Sequence, residues 1–170
     1  MRVLISEAEI AARVEALAGE IAQRSPGDLV IVALLKGAVV FVADLARALY
    51  RAGVRPEVEF LRLSSYGPAT QTSGEVRLVG EVPTGLAGKR VLLVDGIVDT
   101  GRSLAAAAAL LRQGGVGELR TCVLLDKPQR RGLGIAVDFV GFSIGDVFVV
   151  GYGTDHAEQY RYLPHNAIVE

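Results

Sequence analysis

Val91-Leu92-Leu93-Val94-Asp95-Gly96-Ile97-Val98-Asp99-Thr100-Gly101-Arg102-Ser103-Leu104 passes from an aliphatic strand, through acids and glycine, into an alanine-rich helix. Arg90 to Val94 is β-branched and leucine-rich, the pattern of a strand buried on both faces. Ser103 is placed to cap a helix running through Ala105 to Leu111. The loop between them turns backbone N–H groups outward at a helix N-terminus, which suits an anion, and the Thr100 and Ser103 hydroxyls add donors. Asp99 cannot itself bind an anion. Its chemistry leaves it three tasks: proton acceptor, sugar-hydroxyl acceptor or metal ligand.

On either side of this stretch the chain alternates strands with helices. A first helix is predicted from Ser6, where Ser6 and Glu9 form a Ser-x-x-Glu capping box. Ile10, Val14, Leu17 and Ile21 then share one helical face, and Pro26-Gly27 breaks the helix. Leu29 to Leu34 reads as an aliphatic strand, Val39 to Tyr50 as a second helix ended near Gly53, and Val58 to Leu63 as another strand. Ser64 to Gly74 is rich in Ser, Thr, Gly and Pro, which predicts a long mobile loop, with Val76 to Val79 a hairpin partner across it. Gly114-Gly115 stops the helix after the opening stretch. Leu119 to Leu125, Val137 to Phe142 and Val147 to Val150 complete the strands. This alternation predicts one α/β domain over residues 1–170, with a mainly parallel central sheet flanked by helices. In such sheets ligands sit beyond the carboxyl ends of the strands, where the Asp99–Ser103 loop falls.

Composition narrows the function. With 51% hydrophobic and 22% charged residues in 170, the chain is no disordered segment and can bury a core. A net charge of −1 gives no electrostatic case for a nucleic-acid partner. Lys36, Asp44, Arg112, Asp138 and Asp146 interrupt every apolar run, so no membrane span is expected. Glu7 and Glu9 come too early for a signal peptide, which predicts a cytoplasmic protein. Cys122, the single cysteine, lies among Val123, Leu124 and Leu125 and reads as a buried strand thiol rather than a nucleophile. His156 and His165 lack partners at metal-ligand spacing and read as surface residues.

Val91 to Ser103 resembles the phosphoribosyl diphosphate (PRPP) signature of the type I phosphoribosyltransferases: an aliphatic strand, two acids, two aliphatics, then Asp-Thr-Gly and a small hydroxyl residue. Further motifs in the same order resemble the 6-oxopurine branch of that family. Leu34-Leu35-Lys36-Gly37-Ala38 follows a strand and precedes a helix, where N–H groups, a helix dipole and a lysine suit pyrophosphate, although an ordinary turn with a solvated lysine would read the same. In the family this loop often carries a non-proline cis peptide. Phe41, Asp44 and Leu45 extend the match. Ser65-Tyr66 corresponds to the start of a lid, and Leu125-Asp126-Lys127-Pro128-Gln129-Arg130-Arg131 to a base-binding loop. Asp146 to Asp155 and Tyr160-Arg161-Tyr162-Leu163-Pro164 complete the match.

The resemblance implies the type I phosphoribosyltransferase fold with a small hood region, and purine salvage as the activity. Hypoxanthine, and guanine with it, plus PRPP would give IMP or GMP and pyrophosphate, with Mg2+ as cofactor, in a homo-oligomer (dimer or tetramer). It implies Asp99 as general acid/base. Asp95, Asp99, Thr100, Gly101, Arg102 and Ser103 would hold the sugar and its 5′-phosphate. Lys36, Gly37, Arg131 and Arg161 would hold pyrophosphate. Lys127 would contact the purine 6-oxo group, Phe148 would stack on the ring and the Val149 backbone would read its edge. Ser65 and Tyr66 would open the lid, and Asp155 with Asp95 would face the metal.

The sequence departs from the pattern once. Where the family has two consecutive acids for the ribose hydroxyls, this chain has Asp95-Gly96. Losing a charged acceptor costs about 1.5–3 kcal/mol, which would weaken PRPP binding while leaving Asp99 in place. This raises the alternative of a weakly active or non-catalytic nucleotide-binding homologue. A pyrimidine regulator with RNA affinity is opposed by the acidic charge balance and by Lys127 and Phe148. It also leads to the expectation that Gly96→Asp with Asp95→Glu would strengthen PRPP binding, unless Gly96 holds a positive φ.

Overall fold

The aliphatic runs become the middle of a six-stranded sheet. In chain order the elements are β1 (Arg2–Ile5), α1 (Glu7–Arg24), β2 (Asp28–Leu35), α2 (Val39–Arg51), β3 (Arg55–Ser65), β4 (Val76–Val79), β5 (Arg90–Val98), α3 (Arg102–Gln113), β6 (Glu118–Asp126), β7 (Phe139–Ser143), β8 (Val149–Val150) and β9 (Asn166–Ile168). The structure, a computed structural model, describes residues 1–65, 75–132 and 134–170. Tyr66 and most of the predicted long loop lie outside the described residues.

The larger sheet runs β4-β3-β2-β5-β6-β7, parallel except for β4, which pairs antiparallel with β3 as the hairpin partner expected. Period-two alternation sorts its side chains onto two faces. Ile31, Ala33, Leu92, Val94, Cys122 and Leu124 join α1 and α2 in one core cluster. Val30, Val32, Leu34, Val91, Leu93 and Val123 join α3 in the other. This explains why these strands are aliphatic at nearly every position. Cys122 is buried, as expected, and burial pushes its thiol up, which keeps it unreactive.

The smaller sheet, ordered β1-β9-β8, joins the two ends of the chain and forms the hood. Its Ile5 and Val149 share the first core cluster, so the hood is packed onto the main body. β1 and β9 were not expected. They are short, and their partners lie at opposite ends of the sequence.

Local signals mostly hold. Ser6 caps α1 with both bonds of the box: Glu9 N–H donates to Ser6 Oγ at 3.1 Å, and Ser6 N–H donates to Glu9 Oε2 at 2.8 Å. The start of α3 differs. Ser103 makes no cap; the cap is Gly101 at φ 90°, where the left-handed backbone favours glycine. β5 also runs on to Val98, past the predicted end at Val94, because Asp95, Ile97 and Val98 continue the ladder with β6. Among the described residues, no helix is long and apolar enough to cross a membrane.

Candidate active site

From β2 the chain steps outward to β3, then returns on the other side of β2 as β5. The order of strand addition therefore reverses between the parallel neighbours β2 and β5, and ligands of open α/β sheets bind at such a point. The loop after β2 carries Lys36-Gly37, and the end of β5 carries Asp95 and Gly96. The Leu35–Lys36 peptide is cis, as the resemblance led us to expect.

A cleft of about 450 Å3 opens here, within the size range of small-molecule sites. Lys36, Gly37, Asp99, Lys127, Phe148, Val149, Asp155 and Arg161 all line it. A groove of about 1200 Å3 at the other end of the strands, around Asp28, Tyr50 and Arg55, holds none of the motif residues. The structure thus gathers residues from five separate motifs into one place.

Asp99 sits between two cations. Lys127 Nζ is 3.5 Å from Asp99 Oδ2, and Arg130 Nε donates to Asp99 Oδ1 at 2.9 Å. The Lys127 side chain is only 8% exposed, so this ammonium is desolvated and held against the cleft wall. Arg130 also lies 3.8 Å from Asp146, and the two carboxylates raise its already high affinity for its proton. Phe148 is 51% exposed. His156, exposed as expected, packs edge-on against its ring at 5.2 Å. Val149 is buried and paired with Ile168, which fixes its backbone.

Lys36, Gly37, Asp155 and Arg161 line the cleft together. Arg161 Nη1 donates to the Gly153 carbonyl at 2.6 Å, and its Nη2 is 3.2 Å from Asp155 Oδ1. Arg131 was expected beside pyrophosphate but is committed elsewhere. It donates to Asp126 at 3.1 Å and to the Ile135 carbonyl at 3.3 Å, and so anchors the loop after β6.

The anion loop lies next door. Thr100 and Arg102 line a separate cavity of about 300 Å3 with Arg130 and Gly132. Gly101 is buried, with Ile135 against the position a Cβ would take, and Ser103 is exposed. Asp95 accepts from Gly96 N–H at 2.7 Å but does not line the cleft. The residue keeps some exposure, yet burial pushes its carboxyl up to about 7, against the pull of the Gly96 and Ile97 N–H groups.

Gly96 is explained by its neighbours. A Cβ built on it would stand 2.7 Å from the Gly37 carbonyl oxygen, and one built on Gly153 would stand 2.6 Å from the same atom. The Gly37 carbonyl is thus wedged between two glycines. Gly96 is absent from the positive-φ residues, so the constraint is close approach and not backbone handedness.

Among the described residues, no three His, Cys, Asp or Glu side chains group as a metal site. That pattern still fits magnesium, which is commonly held by one or two carboxylates plus the substrate's phosphates. Asp155, which lines the cleft, carries hard oxygen donors of that kind, whereas Asp95, expected beside it, does not line the cleft.

A family comparison agrees with this geometry. Residues 5–157 match the phosphoribosyl transferase domain. The chain belongs to that family. The phosphoribosyltransferases it resembles include hypoxanthine phosphoribosyltransferase of Escherichia coli (strain K12), 42% identical over 168 residues, which is 97% of this chain and 93% of that protein. Hypoxanthine-guanine phosphoribosyltransferase of Aquifex aeolicus (strain VF5) is 42% identical over 172 aligned positions, 100% of this chain and 95% of that one. A crystal structure of a hypoxanthine-guanine phosphoribosyltransferase from Bacillus anthracis, with HEPES in its active site, superposes with a TM-score of 0.92 at 38% identity, covering 100% of this chain and 99% of that one. The type I phosphoribosyltransferase fold expected from the resemblance is the fold observed.

Sequence reasoning missed three members of this phosphoribosyltransferase site. Arg62 lines the cleft from β3, just before the expected lid, and no motif named it. Arg130 was passed over in favour of its neighbour Arg131. Glu158 lies between Asp155 and Arg161, and that proximity to two motif residues was the available signal.

Proposed function

We propose that this phosphoribosyltransferase makes IMP from hypoxanthine and GMP from guanine, with PRPP as the phosphoribosyl donor and pyrophosphate as the second product. One observation carries the reading: a single cleft joins an aromatic face and an ammonium suited to an oxopurine, a carboxylate suited to its proton, and cations suited to a diphosphate.

The residues divide the work. Phe148 offers a ring face to the purine, and the fixed Val149 backbone offers edge contacts. Lys127 reaches the 6-oxo group and draws electron density toward it. Asp99 takes the N7 proton as the N9–C1′ bond forms, and the C1′–oxygen bond to diphosphate breaks with its electron pair leaving on pyrophosphate. Lys36, the Gly37 N–H and Arg161 receive that leaving charge. Thr100, Gly101, Arg102 and Ser103 hold the 5′-phosphate by N–H groups, hydroxyls and charge. Positioning and fixed electrostatics carry most of the rate, because the sugar passes through a cationic, oxocarbenium-like state. Mg2+, when bound, would supply further neutralisation of the diphosphate, with Asp155 as the cleft acid that would face it.

Lys127 pairs with Asp99. Base binding would move the ammonium toward the purine oxygen and free Asp99 Oδ2 to accept a proton. The alternative of a non-catalytic homologue is not favoured, since relatives at 42% identity over nearly the whole chain are named as hypoxanthine and hypoxanthine-guanine phosphoribosyltransferases. Residues 1–170 would act as one domain in the cytoplasm, as a homo-oligomer. Val39 and Tyr50 of α2 and Val58 and Phe60 of β3 are exposed apolar side chains available to such an interface.

The direct test is conversion of hypoxanthine and PRPP to IMP by the purified protein with magnesium. Failure to release pyrophosphate with any 6-oxopurine would overturn the reading. A narrower test is Lys127→Met, which keeps the apolar stem. A hydrogen bond to a charged group contributes about 1.5–3 kcal/mol, so KM for hypoxanthine and guanine should rise roughly ten- to a hundredfold together. PRPP affinity should stay close to wild type. Loss of PRPP binding with unchanged base KM would place Lys127 on the wrong substrate.

A further inference from the structure

We infer that Glu158 is an internal occupant of the diphosphate site, a carboxylate that holds Lys36 and Arg161 until diphosphate displaces it. This rests on the proposed assignment of those two cations to diphosphate. The geometry is that of an anion shared between two cations. Glu158 Oε2 is 3.1 Å from Lys36 Nζ, and Glu158 Oε1 is 3.6 Å from Arg161 Nη2. Each oxygen takes one cation, much as two oxygens of a diphosphate would.

The backbone beneath Glu158 supports a placed rather than a stray side chain. His156 and Gln159 pair across a tight turn, with His156 N–H donating to the Gln159 carbonyl at 3.1 Å and Gln159 N–H donating back at 2.9 Å. The turn residues, Ala157 and Glu158, have φ 50° and 65°. Two consecutive positive φ values belong to a turn type that favours Asn and Gly, and side-chain-bearing residues adopt them uncommonly. Asp155 Oδ2 accepts from Glu158 N–H at 2.8 Å and fixes the turn further. An alanine and a glutamate thus stand where local preference asks for neither, and the result aims the Glu158 carboxylate into the cleft that it lines with Lys36 and Arg161.

The functional consequence is competition. Diphosphate must break both Glu158 contacts to reach its cations, so Glu158 weakens the binding of PRPP and of pyrophosphate alike. On the product side it re-forms those contacts as pyrophosphate leaves. The tight holding that the reaction needs is thereby offset by a built-in release.

The test is calorimetric titration of magnesium pyrophosphate into wild type, Glu158→Gln and Lys36→Met, with IMP titrated into each. Glu158→Gln keeps the shape and removes the charge. The Kd for pyrophosphate should fall about three- to tenfold, the scale of one or two exposed ion pairs, while the Kd for IMP stays unchanged. Pyrophosphate should also become a stronger product inhibitor of Glu158→Gln. Equal or weaker pyrophosphate binding in Glu158→Gln, with weakened binding in Lys36→Met, would overturn the inference alone. Unchanged binding in Lys36→Met would instead overturn the diphosphate assignment, and the inference with it.

Discussion

Replacing Asp99 by Asn is expected to lower turnover by about 10²–10⁴-fold, the usual contribution of a general acid–base group, while pyrophosphate affinity stays within a few-fold of wild type. The asymmetry comes from where Asp99 stands. Its Oδ1 accepts from Arg130 and its Oδ2 faces Lys127, so neither oxygen is directed by the cations proposed for diphosphate, Lys36 and Arg161. Asn preserves the shape but presents an amide nitrogen to one of those donors and has no basic oxygen for the purine proton. The cations proposed for diphosphate lie elsewhere in the cleft: Lys36 pairs with Glu158, and Arg161 with Asp155, Glu158 and the Gly153 carbonyl. Steady-state kinetics at saturating PRPP and hypoxanthine measures the first effect, and pyrophosphate titration measures the second. Unchanged turnover would remove Asp99 from the chemistry. An equal loss in turnover and in pyrophosphate binding would show instead that Asp99 shapes the site.

Arg130 gives this arrangement a consequence. It touches Asp99 on one side and lines the cavity of Thr100 and Arg102 on the other. On the proposed assignment the same guanidinium would orient the proton acceptor and border the 5′-phosphate pocket, so placement of the sugar phosphate and orientation of Asp99 would be coupled through one side chain. Asp146, 3.8 Å from Arg130, is a second anchor that keeps it at this junction.

What the sequence displays and what it hides follow different physics. β2, β5 and β6 are legible because strands buried on both faces must be aliphatic at almost every position. The capping box at Ser6 and Glu9 is legible because both partners lie within one helical turn. The start of α3 is not, since Ser103 is an ordinary capping residue by type and only the backbone at Gly101 shows where the helix begins. β1 and β9 are hidden because short strands carry too little periodicity and their pairing joins the two chain ends. The partner of Arg131 is not legible because a basic pair in a strand-end loop does not say which arginine turns inward; in the structure Arg131 pairs with Asp126, buried at the end of β6. The ion pair of Lys36 with Glu158 spans 122 residues, and nothing local predicts it.

Gly96 shows the same limit most sharply, and it reverses an expectation. Read as sequence, Gly96 is a missing ribose ligand, and Gly96→Asp with Asp95→Glu should restore it. The structure gives the opposite sign. A Cβ at position 96 would lie 2.7 Å from the Gly37 carbonyl oxygen, closer than real Cβ contacts allow, and a Cβ at position 153 would lie 2.6 Å from the same atom. The neighbour is backbone, so no side-chain rotation relieves it. The Lys36-Gly37 loop must move, and it carries the cation assigned to diphosphate. Forced overpacking of this kind costs about 1–3 kcal/mol. A second carboxylate beside Asp95, whose own carboxyl burial has already pushed up to about 7, adds like-charge repulsion in a desolvated place. The double variant should melt lower by roughly 2–4 °C per kcal/mol lost and bind PRPP about tenfold or more weakly. Gly96→Ala separates the causes, since it adds the Cβ without the charge and should show most of the loss in melting temperature. Thermal melts and PRPP titration with magnesium decide the matter. Wild-type melting together with tighter PRPP binding in the double variant would mean that the Gly37 carbonyl yields freely, and that Gly96 is an absent ligand after all rather than the room this loop requires.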